Sequence, residues 1–387
     1  MKTTKILIGI CFALLLALSL VTLRQKEALL ILNWGEYIND EVVERFEKEY
    51  NINVVISLAD SNELFYSKIK SGTTAYDLVI PSEYMVQRMF ESGMLQPIQK
   101  EKLSNYHEDM FLPGVNGIIE SMSAVFPEYA DYQIPYFWGT FGLMYNKRKT
   151  GLEEIIKEKG WEAFFNEAEL PTGTEVGMYN VPRFAYAAAM FYNHLSPNAI
   201  PNEENIAIAQ RTLSMRKFNE WGTDTLKKNI QKGDLDLAFV YTGDFLDMLY
   251  QEINDEVNPK DISDIAYDIY IPDETIAFMD SFVIPKNARH VDLAHAFINF
   301  FLDPQNAYEN ASVVGYCTPL VESYNMILAG KNSDDKYLQN WALAIEKYYP
   351  LPDETWEKPY KGTPLTNFDV NSLTKITNMV NNVKTRS

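Results

Sequence analysis

An α/β layered architecture divided into two lobes is predicted by three features of the sequence. Short apolar runs alternate with amphipathic helical patterns from Leu29 onward, as strands do with the helices that cover them. The chain has 387 residues, too many for one small core. A stretch punctuated by proline and glycine, Asp131 to Gly139, breaks the first α/β series, and a second begins at Phe141 to Tyr145.

Leu29 to Leu32 reads as a buried strand and Asn33 to Tyr37 as the loop after it. Asn39 or Asp40 can cap a helix that places Val42, Val43, Phe46 and Tyr50 on one face. Ile52 to Ile56 is a second strand, and the caps offered by Asp60 to Glu63 start a helix that Gly72 can end in a left-handed conformation. Asp77 to Pro81 is a third strand, from which Ser82-Glu83-Tyr84 leads into a helix ending near Gly93. In an open parallel sheet the loops at the carboxyl ends of such strands gather on one edge, where ligands bind. Trp34, Tyr37 and Tyr84 are expected to meet there, although each aromatic taken singly also suits a core position.

In the second series helices are expected at Glu153 to Lys159 and Pro182 to Leu195, with the helical pattern continuing from Ile206 to Trp221. Leu235 to Tyr241 is a strand running into Thr242-Gly243-Asp244, so Asp244 lies in a strand-to-helix turn, as an N-cap or as a ligand-facing acid. Phe282 to Ile284 reads as a short covered strand ended by Pro285, with Asp280 at its mouth. A carboxylate there needs hydrogen bonds, a counter-charge or a cationic ligand. A turn or capping role is the other reading. Asp292 can cap an apolar helix ended by Asp303-Pro304, and helical patches follow near Tyr337 to Tyr348 and Leu373 to Val383.

The composition is that of a folded protein, 47% hydrophobic and 22% charged. A net charge of −19 argues against nucleic acid or an anionic membrane surface as partner and suits a cationic small ligand, though it also serves solubility alone. Lys2 and Lys5 precede an uncharged apolar run, Ile6 to Leu23, that Arg24 and Lys26 close, which reads as an export signal or a membrane anchor. Cleavage after Ser19 and an uncleaved span are both compatible with the residues, while Cys11, behind bulky Ile10, is a poor lipidation site. Either way the body is exported, and Cys317, its one cysteine, leaves no intrachain disulfide there.

The four histidines, His107, His194, His290 and His295, show no metal-ligand spacing. There is no Gly-x-Ser-x-Gly elbow, no phosphate-binding glycine loop and no Cys-His arrangement, so no metal, cofactor or enzymatic centre is expected. Asp244 and Asp280 leave a carboxylate-dependent carbohydrate-active enzyme as an alternative in a different class.

Five tags, in order, resemble the bacterial spermidine/putrescine-binding proteins of polyamine ABC importers: Leu32 to Tyr37 (LNWGEY), Tyr76 to Tyr84 (YDLVIPSEY), Ile134 to Thr140 (IPYFWGT), Met279-Asp280-Ser281 and Gly315 to Pro319 (GYCTP). The resemblance implies a two-lobed periplasmic-binding-protein fold of type II, closing over its ligand about a hinge. It implies residues 28–136 plus 281–330 as one lobe, 137–280 as the other, 331–387 as a helical segment across both, and 1–27 as signal or anchor. The implied ligand is a polyamine and the implied partners are ABC permease subunits, with the protein a monomer that is periplasmic or on the cell surface, tethered by its apolar segment.

A polyamine asks for carboxylates at its ammonium groups and aromatic faces along its methylenes. On this resemblance Trp34, Glu36 and Tyr37 match the family's first loop, Ser82 and Tyr84 its third-strand loop, and Tyr316 a wall residue. Asp280 matches its amine-binding aspartate, and Asp244 the acid that putrescine-preferring members carry after a glycine. Tyr241 and Phe278 stand where the family often has tryptophan. The chain departs from the family at Tyr179 to Phe184, where members place acids and Val181 and Phe184 occur instead. A shorter diamine or a ligand with a single amine suits the remaining acids better than spermidine. A different organic solute suited to Asn180 and Arg183 is the alternative within the same fold, and a tethered sensor without a permease is indistinguishable by sequence.

Overall fold

The structure is a computed structural model that describes residues 26–255, 260–352 and 358–386. The apolar run Ile6 to Leu23, read above as signal or anchor, lies outside the described residues. Among the described residues no helix is long and apolar enough to cross a membrane.

The strand Ala28–Asn33, with Leu29, Ile31 and Leu32 fully buried, is the centre of a three-stranded parallel sheet. Asn53–Leu58 pairs with it on one side and Leu78–Val79 on the other. Parallel neighbours need crossover connections, and the helices Asp40–Tyr50 and Asn62–Ser71 supply them. The first is capped by Asn39, whose side chain accepts from Glu41 N at 2.9 Å; the second is capped by Ser61 and ended by left-handed Gly72. The third strand is shorter than its apolar run because Asp77 leaves the ladder to accept from Leu30 N at 3.0 Å and from Arg289 N and His290 N at 2.8 Å.

A second, seven-stranded sheet is built around Ile134–Asn146, every residue of which is buried. Most of the stretch Asp131 to Gly139, read from its proline and glycine as a passage between lobes, is thus the start of one continuous strand of 13 residues. Partners along its whole length explain this. Ile276–Phe282 runs antiparallel to its first part, with Phe282 opposite Ile134 and Ala277 opposite Thr140. Leu237–Tyr241 and Tyr267–Tyr270 flank the rest. The register slips between Asp280 and Ser281, which leaves Tyr136 unpaired beside Pro135 as a bulge. At that point Ile276–Phe282 and the residues after it also touch the first sheet, through bridges between Ser82 and Asp280 and between Val79 and Val283.

Other boundaries differ from those read in the pattern. The helix after Asn202 stops at Leu213, and Glu220–Gly222 becomes an edge strand parallel to Val176–Tyr179. The run Phe282 to Ile284 divides: Phe282 ends one strand, and Ile284–Pro285 pairs with Leu95–Gln96. The C-terminal part is helical at Lys336–Tyr348 and Val370–Arg386 but extended between them, where Thr363–Pro364 adds beside Ile276 and Ala277. From this strap Leu365 N donates to Glu83 and Asn367 N to Gln87. The last helix packs on Pro182–Tyr192.

Candidate functional site

Asp280 sits within its strand, at the slip in register, and not at a strand mouth as its sequence context suggested. Its side chain reaches the loops of the first sheet, where it is 5% exposed. Ser82 Oγ donates to its Oδ1 and Tyr37 OH to its Oδ2, each at 2.6 Å. Asn62 holds Ser82 from behind, its Nδ2 donating to Ser82 Oγ and its Oδ1 accepting from Ser82 N, both at 3.0 Å. Burial pushes the Asp280 carboxyl up to about 6, against the lowering effect of the two hydroxyls. Both hydrogen-bond donors are neutral, so the carboxylate gains no counter-charge from them. Next to it Glu83 is more deeply buried, accepts from Met279 N at 3.0 Å and is pushed by burial up to about 8. Of the two, Glu83 is the one that burial pushes further toward its protonated form.

A cavity of about 600 Å³ opens in front of Asp280. Its walls carry Glu36, Asp60, Glu63, Asp224, Asp244, Asp247 and Asp280, seven carboxyl groups against two lysines, Lys227 and Lys228. Trp34, Tyr37, Tyr84, Tyr179, Phe184, Tyr241 and Tyr316 give it aromatic faces, and Val181 lies beside Phe184. Tyr37 and Tyr316 meet edge to face at 4.9 Å between centroids. Trp34 is pinned by Nε1 donating to Ile80 O at 2.8 Å and by an edge contact with Phe65 at 4.6 Å. Such fixed rings present their faces to a ligand without ordering cost. A second cavity of about 430 Å³ lies elsewhere, near Phe245 and Lys347, but its Asp268 is already held by Lys347 and Tyr348.

Of the ten residues singled out by sequence, eight line this one cavity. Ser82 and Phe278 do not. Ser82 stands behind Asp280 as its hydrogen-bond donor, and Phe278 is 2% exposed behind Tyr241, edge to face at 4.9 Å. Phe278, two residues before Asp280 and on the same face of its strand, misses the wall because the Tyr241 ring packs against it and takes that place on the lining. Glu36 is exposed at the rim in a left-handed turn with φ of 52°.

Asp244 corrects the sequence reading in a different way. It is not a cap: Tyr241 holds that place, and Asp244 lies in the first turn of Thr242–Ile253, where the helix dipole favours a carboxylate. It is also paired. Lys227, 6% exposed on the helix Asp224–Lys232, sets its Nζ 3.4 Å from Asp244 Oδ1 and 3.0 Å from Asp247 Oδ2. Burial acts to lower the Lys227 ammonium, but the two carboxylates outweigh it and hold it above its ordinary value. Burial pushes Asp244 up to about 6, with Lys227 opposing. Asp244 and Asp247 lie three apart on one helical face, which sequence can show, but the lysine arrives from another helix, which it cannot. Tyr179 and Glu63 were missed as well, each an ordinary residue until the loops converge.

Arg183 is absent from the cavity wall. It is buried, donates to Pro197 O at 2.9 Å and Asn198 Oδ1 at 2.7 Å, and stacks on Phe368 at 4.3 Å. Asn180 accepts from Lys384 of the last helix. Neither residue lines the cavity, which removes the basis for a solute recognised there through them.

The profile of the bacterial extracellular solute-binding proteins matches residues 32–308. A spermidine/putrescine-binding periplasmic protein of Salmonella typhimurium is 28% identical over 339 residues, covering 87% of this chain and 89% of its own. A putrescine-binding periplasmic protein of Escherichia coli is 28% identical over 333 residues, covering 82% and 87%. Among solved structures, a spermidine/putrescine ABC transporter substrate-binding protein of Streptococcus pneumoniae superposes with a TM-score of 0.67 at 25% identity, covering 93% of this chain and 99% of its own.

Proposed function

This chain belongs to the bacterial extracellular solute-binding protein family, a family of binders and not of enzymes, and we propose that it captures polyamines of the putrescine and spermidine kind for an ABC importer. One observation carries the ligand class: a cavity with seven carboxyl groups and seven aromatic rings, on whose wall the Asp280 carboxylate is buried among neutral donors. A buried carboxylate in that state is satisfied by an ammonium group. The names of the relatives, which bind spermidine and putrescine, support the same reading.

In this reading a terminal ammonium of the ligand docks on Asp280 while Trp34, Tyr37, Tyr241 and Tyr316 cover the methylenes and add cation–π attraction. Ser82 and Tyr37 orient the carboxylate. The lobe boundary is assigned to the paired strands Ile134–Asn146 and Ile276–Phe282, which run from one sheet toward the other. Closure about them buries the ligand, and membrane permease subunits receive it. The working form is a monomer, exported and tethered through its apolar N-terminal segment.

Calorimetric titration with putrescine and with spermidine tests the proposal. Micromolar or tighter binding of at least one is expected, with a rise in unfolding temperature. Absence of both heat and thermal shift for both amines would refute it.

A further inference from the structure

We infer that Lys227 is a specificity-determining residue, a built-in cation beside Asp244 that disfavours a second ligand ammonium there. This deepens the polyamine reading and rests on it.

The two carboxylates that sequence marks as amine partners are not equivalent. Asp280 receives only two hydroxyl groups, those of Ser82 and Tyr37. Asp244 and its neighbour Asp247 share the ammonium of Lys227, at 3.4 and 3.0 Å. That ammonium stands against the acid that the family resemblance marks as a second amine partner. Tyr316 OH also approaches Asp244 Oδ1, at 3.4 Å, so this oxygen is occupied from two sides. The other oxygen, Oδ2, is buried without a hydrogen-bond partner in a residue that lines the cavity. A ligand satisfies it by bringing a donor, and a neutral hydroxyl or amide N–H does so as well as an ammonium.

The two donors differ in charge. An ammonium on Oδ2 shares one carboxylate with Lys227 Nζ, and two unit charges about 5 Å apart in a site of effective dielectric about 20 repel enough to cost on the order of a hundredfold in affinity relative to the same site without Lys227, which offsets much of the attraction of Asp244. A hydroxyl there meets no such repulsion. The second charge of a diamine therefore gains less at Asp244 than the first gains at Asp280, and a chain of the same length with one ammonium and a neutral donor competes with it. The diamine of the same length loses most of the advantage that its second charge would otherwise bring.

The test compares putrescine with aminobutanol, its analogue with one amine replaced by hydroxyl, by calorimetry on the full chain. The unmodified protein is expected to bind the two within a few-fold of each other. Lys227→Met frees Asp244 and is expected to favour putrescine by about tenfold or more. Lys227→Arg keeps the cation and the original ratio. Because Lys227→Met strands two carboxylates, the double variant Lys227→Met with Asp247→Asn, checked by thermal unfolding, carries the same expectation with less strain on the fold. A strong preference of the unmodified chain for putrescine, or a ratio unmoved in both Met variants, overturns the inference alone. Binding of neither amine by the unmodified chain overturns the polyamine reading and this inference with it.

Discussion

Replacing Asp280 by asparagine takes one negative charge from the cavity wall and changes its shape very little. The carboxylate is buried, receives Ser82 and Tyr37 at 2.6 Å each, and has no cation among those donors. A ligand ammonium about 4 Å away at an effective dielectric of about 20 gains about 4 kcal/mol from this charge, in line with the roughly 3 to 5 kcal/mol lost when a buried pair is broken. The dissociation constant should therefore rise by roughly a hundred- to a thousandfold. The unliganded protein should not be destabilised to match. Asparagine keeps one acceptor for the two hydroxyls, and its neutrality removes the desolvation that pushes the aspartate up to about 6. Calorimetry with putrescine near neutral pH reads the affinity, and thermal unfolding without ligand reads the fold. An unchanged affinity in a folded variant would remove Asp280 from the site and with it the electrostatic argument for the ligand class.

Four further outcomes follow from the same geometry. Amine affinity should fall as the pH drops below about 6, approaching tenfold per unit for each carboxylate required, because Asp280 and Asp244 both titrate there. Unliganded stability should move the opposite way: Asp280, Asp244 and Glu83 are raised on folding, so their contribution is present in acid and lost as the pH rises through about 6 and, for Glu83, about 8, as thermal unfolding across that window would reveal. Gly243→Ala places a methyl carbon 2.2 Å from the Tyr316 ring, so the ring must move; weaker amine binding is expected although alanine is the better helix former by about 1 kcal/mol, and unaltered binding would mean that Tyr316 is no part of the wall. Val181→Asp supplies the missing side-chain cap of Pro182–Tyr192, adding about 1 kcal/mol of stability, and puts an acid on the cavity wall that should raise the affinity for spermidine relative to putrescine, both readable by unfolding and titration.

The first sheet was legible because its signals are local. Asn39, Ser61 and Gly72 act as the caps and stop that their types announce, and Leu29, Ile31 and Leu32 are buried as a covered strand requires. The second sheet was less so. Proline and glycine between Ile134 and Gly139 argue for a break, and a strand continues there because partners distant in sequence flank it and a bulge absorbs Tyr136 next to Pro135. Edge pairing likewise turned the supposed helix near Trp221 into the strand Glu220–Gly222.

Sequence by itself determined the layered α/β class, the caps, the acidic balance and the resemblance that gathers eight of the ten chosen residues onto one wall. Each of these rests on residue type or on neighbours a few positions away. Tertiary structure decided what the acids have for company. Asp280 and Asp244 look alike as letters, yet one is held by hydroxyl groups from two loops of the first sheet and the other by a lysine 17 residues upstream on another helix. A carboxylate's readiness for a cationic ligand depends on the charges within a few ångströms of it, and the chain crossings that bring those charges together are not written in the local pattern.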